Sequence, residues 1–389
     1  MKILFATPYA PIPGVHGGGS RMYSLMRELA RENDIYCVTF GAGEYPCSYE
    51  LLKEFCREVR IVPWSVKAGP MPSLIYPEVI WRAYLWEEFK QQVELALKNN
   101  KIDIVDIEYV IMAGYRPKGY PTVLTVHEDM FLSAYRTYRH TQGRKKWLAF
   151  VEMIKWFYFE FKHFKHFNRL IVLTENEMKV LKRFFPWLKI DVIPTGADTN
   201  YYFPRPDTQE NSDFVFLGNF RHPPNVDAMR FFCRDILPRI KKRIPSANIA
   251  IVGYESRDRL ADLAGSPGVV IHGQVDDIRP FLASSRVFVN PVRLGSGIRG
   301  KLLEAFAMAR PVVSTRLGAQ GLEQYEGHCF LVADTPEDFA DNALILLNSK
   351  EMRRTLGSNA RKVAEAQYDW KILAKRLSDI YCGVVLEAK

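Results

Sequence analysis

The sequence lacks the runs and spacings that mark several common protein classes. Among its 389 residues no stretch approaches the roughly 18 uninterrupted apolar letters of a membrane-spanning helix. The opening MKILFATPYAPIPG has only a handful of apolar letters before Pro8, too few for a secretory signal core, so a cytoplasmic location is expected. Six cysteines form no C-x-x-C pair and show no histidine spacing suited to zinc, which fits a reducing compartment. No D-x-D or H-E-x-x-H spacing occurs, and His163-x-x-His166 has no acidic partner, so no metal is expected. Disorder is excluded, because 48% of the letters are hydrophobic and 25% charged.

What is present is a basic chain with a repeating strand and helix pattern. A net charge of +9 favours anionic ligands, among them nucleotides, phospholipid surfaces and nucleic acid. Short β-branched runs at 2–7, 34–40, 60–64, 103–110, 122–127, 169–174 and 190–194 are mostly separated by helix-length amphipathic segments. After a Pro- and Gly-containing stretch the pattern restarts with FVFLG, NIAIVG, GVVIHG, RVFVNP, RPVVST and CFLVA. Strands so apolar need helices on both faces, which predicts α/β architecture with two doubly wound parallel sheets. Ligands are then expected beyond the carboxyl ends of the strands.

Residues 295–301, GSGIRGK, fit two nucleotide fingerprints by spacing and fail both in context. A P-loop needs Ser or Thr after its Lys, and Leu302 stands there. A dinucleotide turn needs its first Gly directly off the strand, whereas five residues separate Val289 from Gly295. What remains is a glycine turn feeding a helix N-terminus, an anion site built from Gly295, Ser296, Gly297 and Ile298. Arg299 and Lys301 add two cations suited to a diphosphate, and Glu304, one turn further, suits a ribose. A second such turn, Gly17-Gly18-Gly19, follows the first strand.

The loop together with LLEAFAMARPVVST, RVFVNP, VIPTGADTNYYFP and YDWKILAKRLSDIY resembles the retaining family 4 glycosyltransferases of the GT-B fold. The resemblance spans nearly the whole chain and is densest over 286–322. It implies two Rossmann-like domains facing each other across a cleft: an acceptor-side domain at 1–195, a linker at 196–210 and a nucleotide-sugar-binding domain at 211–366. A C-terminal helix at 367–389 would cross back to the first domain. Glu304 then inherits the ribose contact. Ser296 stands where many members carry a glutamate to the donor sugar. Asn219 and Asn225 stand where many carry an Arg and a Lys to the diphosphate, which leaves Arg221, Arg299 and Lys301 to supply the positive charge. The base is expected at backbone groups around Gly273 to Val275. Gly17–Gly19 would lie beside diphosphate and acceptor, and His127 would position the sugar. Glu128 and Asp129 read either as acceptor-side acids or as helix N-terminal charges.

The resemblance implies transfer from a UDP- or GDP-sugar to a saccharide or lipid-linked acceptor, with retention and no metal, in cell-surface polysaccharide or glycolipid assembly. A nucleotide-sugar epimerase, a sugar-phosphate synthase and a silent nucleotide-sugar-binding protein are the alternatives. Residues 135–169 carry nine Lys or Arg against two Glu. Trp147, Phe150, Ile154, Phe157, Phe161 and Phe164 recur at helical spacing as an expected buried face. Trp156 and Phe159, with Lys155, Lys162 and Arg169, would then form an exposed face for an anionic membrane surface, making the protein peripheral on its cytoplasmic side. No binding motif accompanies the charge, so nucleic acid is not an expected partner.

Overall fold

A computed structural model describes residues 1–14, 17–41, 49–64, 75–80, 87–295 and 297–388. Two compact units emerge, Met1–Pro194 with Leu373–Lys389, and Thr195–Ile372. Residues 196–210, expected as a linker, cluster with the second unit.

The first unit carries seven parallel strands: β1 (Lys2–Thr7), β2 (Asp34–Gly41), β3 (Cys56–Pro63), β4 (Ile104–Glu108), β5 (Thr122–Val126), β6 (Arg169–Val172) and β7 (Ile190–Val192). Their order is β3-β2-β1-β4-β5-β6-β7. The central strands are buried on both faces, because each βαβ crossover lays a helix over the sheet. Its core joins Leu4, Val38, Phe40, Phe89, Ile107 and Leu124, and the Phe40 and Phe89 rings stack at 4.4 Å. Strand β3 starts four residues before the apolar run at 60–64. As an edge strand it is only partly buried and tolerates Arg57 and Glu58.

The second unit carries six parallel strands: β8 (Ser212–Leu217), β9 (Ile249–Val252), β10 (Val269–Gly273), β11 (Ser285–Asn290), β12 (Val312–Ser314) and β13 (Phe330–Val332). The order is β10-β9-β8-β11-β12-β13. Phe214, Phe232, Val287, Val289 and Phe339 fill one side of the sheet and Val215, Phe288, Leu302 and Phe306 the other.

The helix Trp370–Glu387 belongs to the second unit through Ile372 and to the first from Leu373 onward. Tyr368, Asp369 and Trp370 lie before that boundary. Asp369 accepts hydrogen bonds from the Thr199 hydroxyl and backbone N–H, and Ala197 N–H donates to the Tyr368 carbonyl, all within the second unit. Further along, fully buried Tyr381 donates to the Asp106 carboxyl on β4, which also accepts from Thr125 Oγ1 at 3.0 Å. Burial, then Glu108, raises the Asp106 pKa well above the carboxylate range.

The helix Lys145–Phe164 meets the expected buried face only in part: Phe164 is in the core and Phe157 packs against it. Trp156 and Phe159 are 3% and 2% exposed and sit in the core, whereas Trp147, Ile154 and Phe161 face solvent. Lys162 lies over the Tyr76 ring, Lys155 pairs with Glu152, and Arg169 is held by Asp191 and Glu387. The helix is apolar nearly all round, so its periodicity did not single out the buried side. Among the described residues no helix is long and apolar enough to cross a membrane.

Removing the Tyr381 hydroxyl leaves a buried carboxyl short of a partner. Tyr381→Phe is therefore expected to lower stability by about 1–3 kcal/mol. Urea denaturation checks this, and an unchanged midpoint would show that the contact contributes nothing.

Candidate functional site

A doubly wound sheet opens a crevice where its strand order reverses, because the crossovers to either side leave in opposite directions. In the first unit that point lies between β1 and β4, and in the second between β8 and β11. The loops after these strands hold most of the residues singled out above.

After β8, Asn219 and Asn225 begin a hydrogen-bonded chain. Asn225 Nδ2 donates to the Asn219 carbonyl at 2.7 Å, and its Oδ1 accepts from Lys301 Nζ at 2.7 Å. Lys301 comes from the first turn of the helix Gly300–Ala307 that follows β11, so Asn225 spans the switch point and ties its two sides together. The same ammonium lies 4.0 Å from the centre of the Phe216 ring. Burial, then Arg299, lowers the Lys301 pKa to about 7. Arg299 is the N-cap residue of the helix Gly300–Ala307, and its guanidinium donates to the Leu294 carbonyl. Burial lowers its pKa as well.

Glu304 lies one turn into that helix, and the Tyr202 hydroxyl hydrogen-bonds its carboxylate. Burial raises the Glu304 pKa, against which Tyr202 and then Lys301 act. Gly297 N–H donates to Gln320 Oε1 at 3.2 Å. Gly295 and Gly297 both have positive φ, which glycine adopts without strain. Gly273, with φ +83°, closes β10, and half-buried Val275 follows it against the core that contains Leu282. Ser296 lies outside the described residues.

Arg221 is tied to the same loop, its backbone N–H donating to Asn219 Oδ1 at 3.0 Å. Its Nε donates to Glu255 Oε1 at 2.6 Å and its Nη2 to the Tyr254 hydroxyl at 2.8 Å, so a carboxylate already offsets its charge. Lys301 and Arg299 stand after β11, and Arg221 stands in the loop after β8.

At the first unit's switch point, Tyr9 follows β1 and Tyr109 follows β4, and their hydroxyls are hydrogen-bonded. Tyr109 has φ +75°, an uncommon backbone for a side chain of this size. Its ring stacks on His127 at 3.9 Å with an interplanar angle of 4°. The His127 side chain is 6% exposed, and its Nε2 lies 2.5 Å from Glu108 Oε2. Burial, then Arg21, holds the His127 pKa well below its usual value, and burial lifts Glu108 to about 7. Gly17–Gly19 open the helix Gly17–Leu29 beside this group: a Cβ on Gly18 would lie 1.8 Å from the Tyr109 hydroxyl oxygen. Asp129 caps the helix Met130–His140 by accepting from Leu132 N–H at 2.8 Å, so it serves the helix terminus. Glu128 is exposed next to it.

Sequence reasoning missed Tyr9, Tyr109, Glu108 and Tyr202. The two tyrosines are 100 positions apart, yet each directly follows a strand flanking the reversal, and strand order would have found them. Among the described residues no three His, Cys, Asp or Glu side chains group as metal ligands do.

Two all-parallel α/β units, each with a glycine turn and a polar cluster at its switch point, define the GT-B class of glycosyltransferases. The family model described as Glycosyl transferases group 1 matches residues 211–349, and that described as Glycosyltransferase Family 4 matches residues 15–201. The chain belongs to these glycosyltransferases. It is 22% identical to an uncharacterized 44.6 kDa protein in the cps region of Klebsiella pneumoniae, over 95% of this chain and 97% of that protein. It is 28% identical to a phosphatidyl-myo-inositol mannosyltransferase of Mycobacterium tuberculosis, over 49% of this chain and 53% of that one. The fold is similar to that of sucrose-phosphate synthase from Thermosynechococcus elongatus, with a TM-score of 0.73, 16% identity and all of both chains covered. It is also similar to Anabaena HepE in complex with UDP, with a TM-score of 0.69, 15% identity, and 98% of this chain and 100% of that one covered.

Because the Tyr9–Tyr109 pair fills the space over Gly18, Gly18→Ala is expected to lower the melting temperature by several degrees. Gly18→Ala combined with Tyr109→Phe should recover part of the loss. Scanning calorimetry of both variants checks this, and a wild-type transition in the single variant would refute the packing.

Proposed function

We propose that this glycosyltransferase moves a sugar from a UDP- or GDP-sugar to a saccharide or lipid-linked acceptor, with retention and without a metal. The observation that carries the reading is the Asn219–Asn225–Lys301 chain beside Glu304 at the β8/β11 switch point. Lys301, Arg299 and the amides opening the helix Gly300–Ala307 bind the diphosphate and stabilise the charge that develops as it leaves. Glu304, oriented by Tyr202, accepts from the ribose hydroxyls. Gly273 and Val275 take the base. In the first unit His127 hydrogen-bonds the donor sugar, with Glu108 and the Tyr109 ring fixing its imidazole, and Gly17–Gly19 lie on the acceptor side. The acceptor oxygen bonds to the anomeric carbon as the bond to the phosphate oxygen breaks, and the departing phosphate takes the acceptor's proton. No side chain need act as nucleophile, so the protein contributes positioning and leaving-group stabilisation.

A UDP-sugar donor is supported by the similar fold of HepE, solved with UDP and with UDP-glucose. Cell-surface assembly is supported by the Klebsiella relative named for a cps region and the relatives named for phosphatidyl-myo-inositol.

The test is a panel of UDP- and GDP-sugars, followed by release of nucleoside diphosphate. Glu304→Ala or Lys301→Ala should lower kcat/KM at least about tenfold, since a hydrogen bond to a charged group contributes about 1.5–3 kcal/mol. Wild-type kinetics in both would remove this loop from the site.

Lys301 also makes nucleotide binding proton-linked. With its pKa lowered to about 7, the free lysine is mostly neutral at pH 8, and a bound diphosphate raises the pKa again. Binding at pH 8 should therefore take up as much as about one proton. Titration calorimetry in buffers of different ionisation enthalpy reads this directly. Lys301→Arg, always charged, should bind without uptake, and buffer-independent heats for the wild type would refute the linkage.

A further inference from the structure

The helix Lys145–Phe164 has a second apolar side that the fold leaves uncovered. Trp147, Ile154, Tyr158 and Phe161 are 67%, 47%, 48% and 41% exposed. Their spacing, completed by half-buried Val151 and by Lys165, steps by three and four and so defines one side of the helix. The buried residues Met153, Trp156, Glu160 and Phe164 fall on the opposite side. From 147 to 165 the stripe runs about 27 Å at 1.5 Å per residue. Exposed Trp187 extends it sideways, its ring meeting Phe161 edge-on at 6.1 Å.

Charge frames this stripe with one sign. Arg136, Arg139, Arg144, Lys145 and Lys146 are exposed at its start, and Lys165, Lys182 and Arg183 at its far end. Lys165 Nζ lies 5.4 Å from the Phe161 ring centre. Across residues 135–189 the one exposed carboxylate is Glu175, because Glu160 is buried and Glu152 and Glu177 are partly so. Tryptophan, tyrosine and phenylalanine on a helix lying flat, with lysine and arginine at the margins, suit the boundary between headgroups and acyl chains of an anionic bilayer. A protein partner of ordinary surface would leave most of these cations without counter-charges, whereas anionic lipid supplies them along the whole stripe.

We propose that the Trp147–Ile154–Tyr158–Phe161 stripe docks the protein on the surface of an anionic phospholipid bilayer, with the flanking cations on the headgroups. This surface replaces the one built on Trp156 and Phe159, which the core takes. Docking places the first unit beside lipid-linked acceptors, but it does not depend on transferase activity.

The test is sedimentation of the full chain, without nucleotide-sugar, with phosphatidylglycerol/phosphatidylcholine vesicles and with vesicles of phosphatidylcholine alone. The expected result is pelleting with the anionic vesicles at low salt, at least tenfold weaker partitioning to phosphatidylcholine, and loss of binding as salt rises. The variant Trp147→Ser/Ile154→Ser/Phe161→Ser should lower partitioning at least tenfold with an unchanged melting temperature, because all three side chains are exposed. Lys145→Gln/Lys146→Gln/Lys165→Gln should weaken binding and flatten the salt dependence. No pelleting with anionic vesicles, or partitioning unaffected by the aromatic variant, would overturn the proposal. A dimer in light scattering that the aromatic variant turns into a monomer would also overturn it, and would assign the stripe to a second copy of this chain. None of these readouts uses activity, so failure of the transferase reading would leave them unmoved.

Discussion

The reversal of strand order in each sheet is the constraint on which the rest of this structure depends. Parallel strands deliver all their following loops to one edge, and crossovers that leave in opposite directions keep that edge open at a single place. Between β8 and β11 the open place is bridged by Asn225, whose amide donates to the loop after β8 and accepts from Lys301 on the helix after β11. Between β1 and β4 the bridge is the Tyr9–Tyr109 pair, reached from Tyr109 in a left-handed backbone. The glycines follow from these bridges. Gly18 leaves room for the tyrosine hydroxyls, and a Cβ on Gly253 would lie 1.8 Å from the Gly218 carbonyl, where the ends of β9 and β8 approach.

Burial at both switch points pushes ionisable groups toward neutrality. Lys301 and Arg299 are held down, and Asp106, Glu108 and Glu304 are held up, with desolvation the largest cause throughout. Shifts in these directions limit the cost of burying like charges near each other. A diphosphate bound as proposed would reverse that balance at Lys301, most strongly where water is excluded. Asn219 and Asn225 fit this arrangement. Were they the Arg and Lys found in many members of the family, four cations would share the β8/β11 edge. The two asparagines instead hold Lys301 in place through neutral hydrogen bonds and leave the charge itself to fewer groups.

Much of the fold was legible in the sequence because buried parallel strands are unalternating apolar runs and the segments between them are amphipathic. The exception, β3, is an edge strand whose first half carries Arg57 and Glu58. The closeness of Glu304 and Lys301 was legible as well, since a glycine turn, two cations and an acid lie within ten residues of one another. What pairing across the sheet creates was not. Glu108 meets His127 across neighbouring strands β4 and β5, and Tyr202 meets Glu304 across about a hundred residues of chain. The pairing of Arg221 with Glu255, from the loop after β9, was hidden for the same reason.

The helix Lys145–Phe164 shows where periodicity stops carrying information. A face can be assigned when apolar residues occupy one side, but here two opposite sides both step by three and four through aromatic residues. Which side is buried then depends on how the side chains fit the core, which takes Trp156, Phe159 and Phe164. Glu160 lies on the inner side, fully buried, and its Oε1 accepts from Phe131 N–H beside the N-terminus of the helix that Asp129 caps. A carboxyl that satisfies part of a neighbouring helix terminus is tolerated inside, whereas on the outer stripe no acid occurs at all. Core packing of Trp156, Phe159 and Phe164 sets the rotation of the helix, and that rotation turns the Trp147–Phe161 stripe, free of acid, to the surface.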